Sequence, residues 1–381
     1  INGEAVSNPA YEPQKNTPEP FRWVFVTTND GSPDGGSEKL WVQSAIRCRE
    51  EGDEVAIVIR RWEPEPPFID TLISKGVKMI CKAQDPFGKV HSLCPDLVVI
   101  STGDQDEGVE WFDFCSLTGL RYVIINHLTK EPSVSPVVER LTSGLRRGYL
   151  GARKVLFTGR NNLRLMERRL GCPIPASGVF FNPTDVERFP SITYPQTKNG
   201  WQLAMVGTLL DIHKGQKLAM SLMTQPKWRE RPVTLNIYGK GPDEEEFRNL
   251  VTASGITNVV FHGHVSDIHG IWKVNHALLM SSYMEGLPLV LIAAMMCGRV
   301  PVVTDIGAHT EVIVDNETGF IAKTPTLADL DEALERAWSR REEWENIGGK
   351  TRAFIHQYIP EDPVGHFVST IRRMVLQNNT R

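Results

Sequence analysis

The chain reads as two doubly wound α/β domains in tandem, and three observations predict it. Its 381 residues suit two domains at roughly 100–200 residues each, both large enough to bury a core. From Arg22 onward, short apolar runs alternate with amphipathic stretches, the pattern of β-α units around a parallel sheet. That alternation breaks off in the polar stretch 182–200, which holds Pro183, Pro190 and Pro195, and then begins again.

Strands are predicted in the first domain at 23–28, 55–59, 78–81, 97–100, 122–125, 154–157 and 178–181, with helices at 37–51, 107–117 and 137–149. In the second domain strands are predicted at 202–206, 234–238, 259–262, 277–280 and 300–304. Its helices are placed at 214–223, 243–254, 267–274, 288–297 and 327–340. The domains are bounded at 21–190 and 195–360. Segment 361–381 is expected to return to the first domain as a helix, because Phe367, Ile371 and Val375 recur on one face. Two such sheets joined by a hinge place a ligand cleft between them, at the carboxyl ends of their strands.

Composition narrows the class. A hydrophobic share of 41% and a charged share of 23% are those of an ordinary globular protein. No apolar run approaches the ~20 residues that span a bilayer. A net charge of −4 argues against a nucleic-acid binder, which needs a basic stripe against phosphates. The basic stretch Arg146, Arg147, Arg153, Arg160, Arg164, Arg168 and Arg169 has no apolar belt beside it. It is assigned to solvated helix faces, with an acidic acceptor or a membrane surface as the alternatives. Cys48, Cys81, Cys94, Cys115, Cys172 and Cys297 form no C-x-x-C pair, so reduced thiols and a cytoplasmic setting are expected. Residues 1–20 have the proline-rich, polar composition of a flexible linker. A start at Ile1 fits a piece of a longer polypeptide with further domains, or a trimmed tail.

Three strand-to-helix loops carry the chemistry. In the first, Gly35 and Gly36 let the backbone approach a ligand, Ser37 can cap the helix and Glu38 follows it. As a tight turn the loop needs no ligand, and it lacks the G-x-G-x-x-G fingerprint. In the second, Gly207 and Thr208 lead to Lys214 at a helix start, where a point charge joins the positive end of the dipole and suits a diphosphate. In the third, S-S-Y-M-E-G-L-P-L-V (281–290), Pro288 fits the first helical turn and Glu285 stands beside backbone N–H groups. Phosphate at one end of a ligand and hydroxyls at the other would match that pairing. His262 and His264 flank Gly263 without a Cys or carboxylate set, so no metal site is assigned.

Taken together, G-T-L-L-D-I-H-K-G (207–215), Y-G-K-G-P (238–242), F-H-G-H-V (261–265), the 281–290 stretch and V-V-T-D-I-G-A-H-T-E-V-I (302–313) resemble the C-terminal domain of the family 4 retaining glycosyltransferases. G-G-S-E-K-L-W (35–41) and N-P-T-D (182–185) resemble its N-terminal half. The resemblance implies a GT-B fold and transfer of a sugar, a hexose by expectation, from a nucleotide-diphosphate donor to a glycan-like acceptor with retention. No cofactor or metal beyond that donor is implied.

By the same resemblance Lys214 binds the diphosphate, Glu285 holds sugar hydroxyls, and Gly286, Leu287 and Pro288 line the sugar-phosphate pocket. Gly241 and His264 fall in loops around the base, and His127 matches a donor-sugar contact of the first domain. Glu38 and its loop are assigned to the acceptor side. Two positions depart from the family pattern: Thr208 stands where Arg is usual, and Ala293 stands where the second Glu of E-x7-E is expected. Weak donor binding is therefore expected, with Thr208→Arg and Ala293→Glu together tightening it. A non-catalytic sugar-nucleotide or glycan-binding module and a nucleotide-sugar epimerase are the competing readings.

Overall fold

In the computed structural model the described residues are 19–29, 33, 35–60, 62–82, 84–130, 136–184, 186 and 192–377. Most of the expected linker 1–20, part of the first loop and part of the 182–200 stretch, Pro190 included, lie outside them. The first sheet comprises β1 (Arg22–Thr27), β2 (Glu54–Ile59), β3 (Lys78–Cys81), β4 (Leu97–Thr102), β5 (Tyr122–Asn126), β6 (Lys154–Phe157) and β7 (Ser177–Val179). The second comprises β8 (Trp201–Val206), β9 (Val233–Tyr238), β10 (Val259–Gly263), β11 (Ala277–Met280), β12 (Val300–Thr304) and β13 (Phe320–Ala322). Their orders are β3-β2-β1-β4-β5-β6-β7 and β10-β9-β8-β11-β12-β13, and the paired strands run parallel. Strand order reverses between β1 and β4 in one sheet and between β8 and β11 in the other, which opens a crevice at each reversal.

Burial on both faces explains the apolar runs. Along β1, Trp23 and Phe25 enter one core cluster while Val24 and Val26 enter the cluster on the opposite face. The helix Pro363–Leu376 belongs to the first of these, burying Val364, Phe367, Val368, Ile371 and Val375. Arg47 pairs with Asp362 at 2.7 Å and Arg372 with Glu51 at 2.8 Å, so its edges are tied to the helix Gly36–Glu50 and the turn after it.

The predicted strands agree with those observed to within one or two residues at either end. Elements outside the prediction include β13, Arg160–Leu170 and Trp344–Tyr358. The last carries Gly348 and Gly349 in mid-helix, which weakens its local signal. A Cβ on Gly348 would stand 2.0 Å from the Gly298 carbonyl oxygen, so close packing dictates that glycine.

Candidate functional site in the interdomain cleft

On the second domain, three loops at the carboxyl ends of β8, β11 and β12 lock together. Gly215 ends the short helix Asp211–Lys214 with φ +61°, and a Cβ there would stand 2.1 Å from the Ser281 carbonyl oxygen. The His213 carbonyl accepts from the Tyr283 and Met284 amides at 2.9 and 3.2 Å. This brings Lys214 Nζ 2.7 Å from Glu285 Oε1, which also accepts from Ser282 Oγ at 2.8 Å. Glu285 is buried and Lys214 partly open, so the pair exposes its cationic member more than its anionic one. Gly307 has φ +59°, and a Cβ on it would come within 2.3 and 2.4 Å of the Glu285 and Gly286 carbonyl oxygens.

Directly after Glu285, Gly286 and Leu287 lead into the helix Leu289–Met296. Pro288 is its N-cap rather than a residue of its first turn, and it offers no side-chain hydrogen bond. The Leu291 and Ile292 amides donate to the Pro288 carbonyl at 3.1 and 3.3 Å, so the N–H groups that the helix ladder leaves unused are those of Leu289 and Val290. Across the cleft, Gly35 is the N-cap of Gly36–Glu50, again without a side-chain bond. A Cβ on Gly36 would lie 3.1 Å from Leu289 Cδ1, so the two helix starts confront each other.

Two expectations for the first loop need correction. Ser37 lies inside the helix and does not cap it; its hydroxyl donates to Glu38 Oε1 at 3.3 Å. Glu38 is 2% exposed, and its carboxylate accepts from Asn29 Nδ2 at 2.8 Å and from Trp41 Nε1. Burial raises its pKa against these hydrogen bonds. The side chain braces the loop from within instead of meeting an acceptor.

His127 follows β5 and is buried, its Nε2 3.1 Å from Ser101 Oγ and its ring edge-on to Phe180. Burial pushes its pKa down to about 3, so the ring is neutral. Its carbonyl oxygen would stand 2.2 Å from a Cβ on Gly286, which makes that glycine a point of close contact between the domains. Glu311 closes a second contact. Its two carboxylate oxygens accept from the Arg160 and Asn161 amides at 2.9 and 2.8 Å, capping the helix Arg160–Leu170 from the opposite domain. Asn161 Nδ2 also donates to the Gly307 carbonyl at 3.0 Å.

Between the walls lies a cavity of about 250 Å³ that includes Lys130, Asn161, Arg164 and Arg168 on one side and Met284 and Glu285 on the other. Lys214 meets it through Glu285. Gly207, Thr208, Gly241 and His264 do not line it. Thr208 is exposed, with its carbonyl accepting from Gln216 Nε2 at 2.8 Å, and Gly241 packs on the Leu209 backbone. Ala293 is buried in an apolar cluster with Tyr238 and Leu291. His264 is exposed, while His262 stacks on Tyr238 with ring centroids 4.5 Å apart. Among the described residues no group of three or more His, Cys, Asp or Glu could hold a metal ion, and no helix is long and apolar enough to cross a membrane. Lys130, Asn161 and Glu311 escaped sequence reasoning, and Arg164 and Arg168 were given to solvated faces. Their spacing of four residues was the one available signal that they share a helix face.

Comparison with known proteins bears on the same half of the chain. Residues 193–354 match the family described as Glycosyl transferases group 1. The Bacillus subtilis protein EpsD is 27% identical over 144 residues, 38% of each chain. The Vi polysaccharide biosynthesis protein VipC/TviE of Salmonella typhi is 34% identical over 142 residues, 35% of this chain and 24% of that one. These alignments thus span well under half of either relative. Anabaena HepE in complex with UDP superimposes with a TM-score of 0.75 at 15% identity, covering 93% of this chain and all of that one. Residues 193–354 therefore resemble the glycosyltransferase group 1 family, and they are set within a two-domain fold of the GT-B type.

Proposed function

We propose that the chain transfers a sugar, a hexose by preference, from a nucleotide-diphosphate donor to a hydroxyl acceptor with retention of anomeric configuration. The observation that carries this reading is the Lys214–Glu285 pair, 2.7 Å apart, beside two helix starts that face each other across the cleft. A diphosphate would sit against Lys214 and the start of Leu289–Met296, where cation and N–H dipoles meet its charge. The donor sugar would lie on Glu285, Gly286 and the neutral His127. The acceptor would enter over Gly35 and Gly36.

In the transfer, the bond from the anomeric carbon to the phosphate oxygen breaks and its electron pair leaves with the diphosphate. The acceptor oxygen bonds to that carbon on the same face, and its proton passes to the departing phosphate. Preorganised charge at the leaving group is the largest expected catalytic contribution, and the scheme requires no metal ion. HepE is described in complex with UDP and with UDP-glucose, which makes uridine donors the first to try. A cytoplasmic setting fits such a donor.

The test is release of UDP from a panel of UDP-sugars, with and without candidate acceptors. Glu285→Gln should lower turnover roughly a hundredfold while the melting temperature changes little. The competing reading, a non-catalytic module, draws on Thr208 and Ala293 at positions where the family carries polar donor contacts. UDP binding without release from any donor would favour that module, and unchanged turnover in Glu285→Gln would remove Glu285 from the site.

A further inference from the structure

We infer that the acceptor is an uncharged sugar residue and that Asp305 reads two of its neighbouring hydroxyls, an inference that rests on the transferase reading above. Asp305 lines the cavity beside Glu285 and is exposed there. Its carboxylate has no hydrogen bond or ion pair among the described residues. The backbone that carries it is fixed, because the Asp305 amide donates to the Ala322 carbonyl, the Ile306 amide to the Thr304 carbonyl and the Ala308 amide to the Gly286 carbonyl, each at 2.9 Å. Asp305 is thereby held in a set position relative to the Glu285 loop. Gly286 and His127, given above to the donor sugar, do not line this cavity, so a ring within it meets Glu285 without occupying the donor's place.

The other charges of the lining are matched or opposed. Glu285 is bound to Lys214, Lys130 pairs with Asp104, and Arg168 has an interaction of its own. Arg164, on the opposite wall, spends Nη1 on the neutral Asn161 Oδ1 at 3.2 Å. The cavity thus offers an acceptor group of one charge on one wall and a donor group of the other charge on the facing wall. An anionic ligand would be repelled by Asp305 and a cationic one by Arg164. A hydroxyl suits both, since it donates to a carboxylate and accepts from a guanidinium. Hydroxyls on adjacent ring carbons match the two oxygens of Asp305 in charge-assisted bonds. Leu165, Met284 and Ile306 add the apolar surface on which the C–H face of a sugar ring can rest.

Calorimetric titration of the UDP-saturated protein tests this with the methyl glycosides of glucose, galactose, mannose and N-acetylglucosamine. At least one should bind, and its two single-deoxy analogues that lack adjacent hydroxyls should bind tenfold or more weaker. Asp305→Ala should weaken the parent glycoside by a similar factor, leave the two deoxy analogues unchanged and keep UDP affinity within twofold, with Asp305→Asn in between. No binding of any glycoside, equal affinity in Asp305→Ala, or deoxy losses that persist in it would overturn the subsite. Tighter binding of methyl glucuronide or methyl glucosaminide than of methyl glucoside would overturn the uncharged class. Loss of UDP affinity in Asp305→Ala would assign the carboxylate to the donor and overturn it equally. So would a melting temperature lowered alike in Asp305→Ala, in Arg164→Gln and in their double variant, because the two side chains would then be paired across the cavity. Should the parent fail to bind UDP, the donor reading fails, and the same titration of the unloaded protein decides the sugar subsite by itself.

Discussion

On the second domain's wall of the cleft Lys214 Nζ lies 2.7 Å from the buried Glu285 Oε1, whereas on the first domain's wall Arg164 Nη1 reaches a neutral amide oxygen, Asn161 Oδ1, at 3.2 Å. The second wall is built from loops that lock onto each other through backbone contacts at Gly215 and Gly307. The first is built from one helix face and the residues after β4 and β5, and Glu311 holds that helix from across the gap. One wall is preformed by its own chain. The other owes part of its position to contact with its neighbour, so changes on the two sides should have different signatures.

Acidification should produce the largest effect, and it draws on both walls. His127 of the first wall and His309 of the second are buried with lowered pKa values, as is His276, pushed down to about 4. Between about pH 6.5 and the lower native values the unfolded chain binds protons that the native state refuses. Their contribution is thus constant above pH 6.5 and falls as pH drops below it, by up to about 1.4 kcal/mol per unit for each of His127 and His276. Urea melts at pH 7 and 5.5 should show the loss, and His127→Asn should reduce it by about 1 kcal/mol. An unchanged pH dependence in that variant would mean that His127 is protonated in the native state.

A smaller effect is expected from the departures at Thr208 and Ala293, which the structure separates. Thr208 is exposed, so Thr208→Arg can reach a bound diphosphate and should tighten UDP binding about tenfold by calorimetry. Ala293 is 5% exposed among apolar side chains, so Ala293→Glu should lower the melting temperature by several degrees and cancel part of that gain. A double variant that binds UDP more tightly than Thr208→Arg alone would show that the preformed wall still has room for the missing acid. The smallest effect is expected from Glu311→Gln. It weakens the cap on Arg160–Leu170 and should raise the acceptor KM about threefold, with kcat and UDP affinity nearly constant. Equal loss of UDP affinity would mean that the two walls do not differ in the way described.

This contrast also explains what was legible in the sequence. The two sheets were readable because strands buried on both faces must be continuously apolar, as in β1 and β4. Around the site, Lys214, Glu285 and Gly286 stood out because their geometry is made within short stretches, each with its own glycine or proline. Arg164 and Glu311 act through a helix face and a contact between domains, for which 150 residues of separation leave no local trace. Glu38 misled for a related reason: its loop looks outward in sequence, but Asn29 and Trp41 claim its carboxylate. The helix Trp344–Tyr358 lies outside the prediction, and at its mid-helix Gly348 a packing demand from Gly298 outweighs helix propensity.

The return of the last helix to the first domain gives the chain two covalent passages between its halves. They run side by side, with Asn182, Pro183 and Thr184 of one and Ile359, Pro360 and Glu361 of the other lining a common hollow. A body tethered at a single point can swivel about three axes, but one tethered at two neighbouring points turns chiefly about the line joining them. Any relative movement of the halves is thereby reduced to the action of a jaw. The jaw can gape, yet it resists lateral sliding.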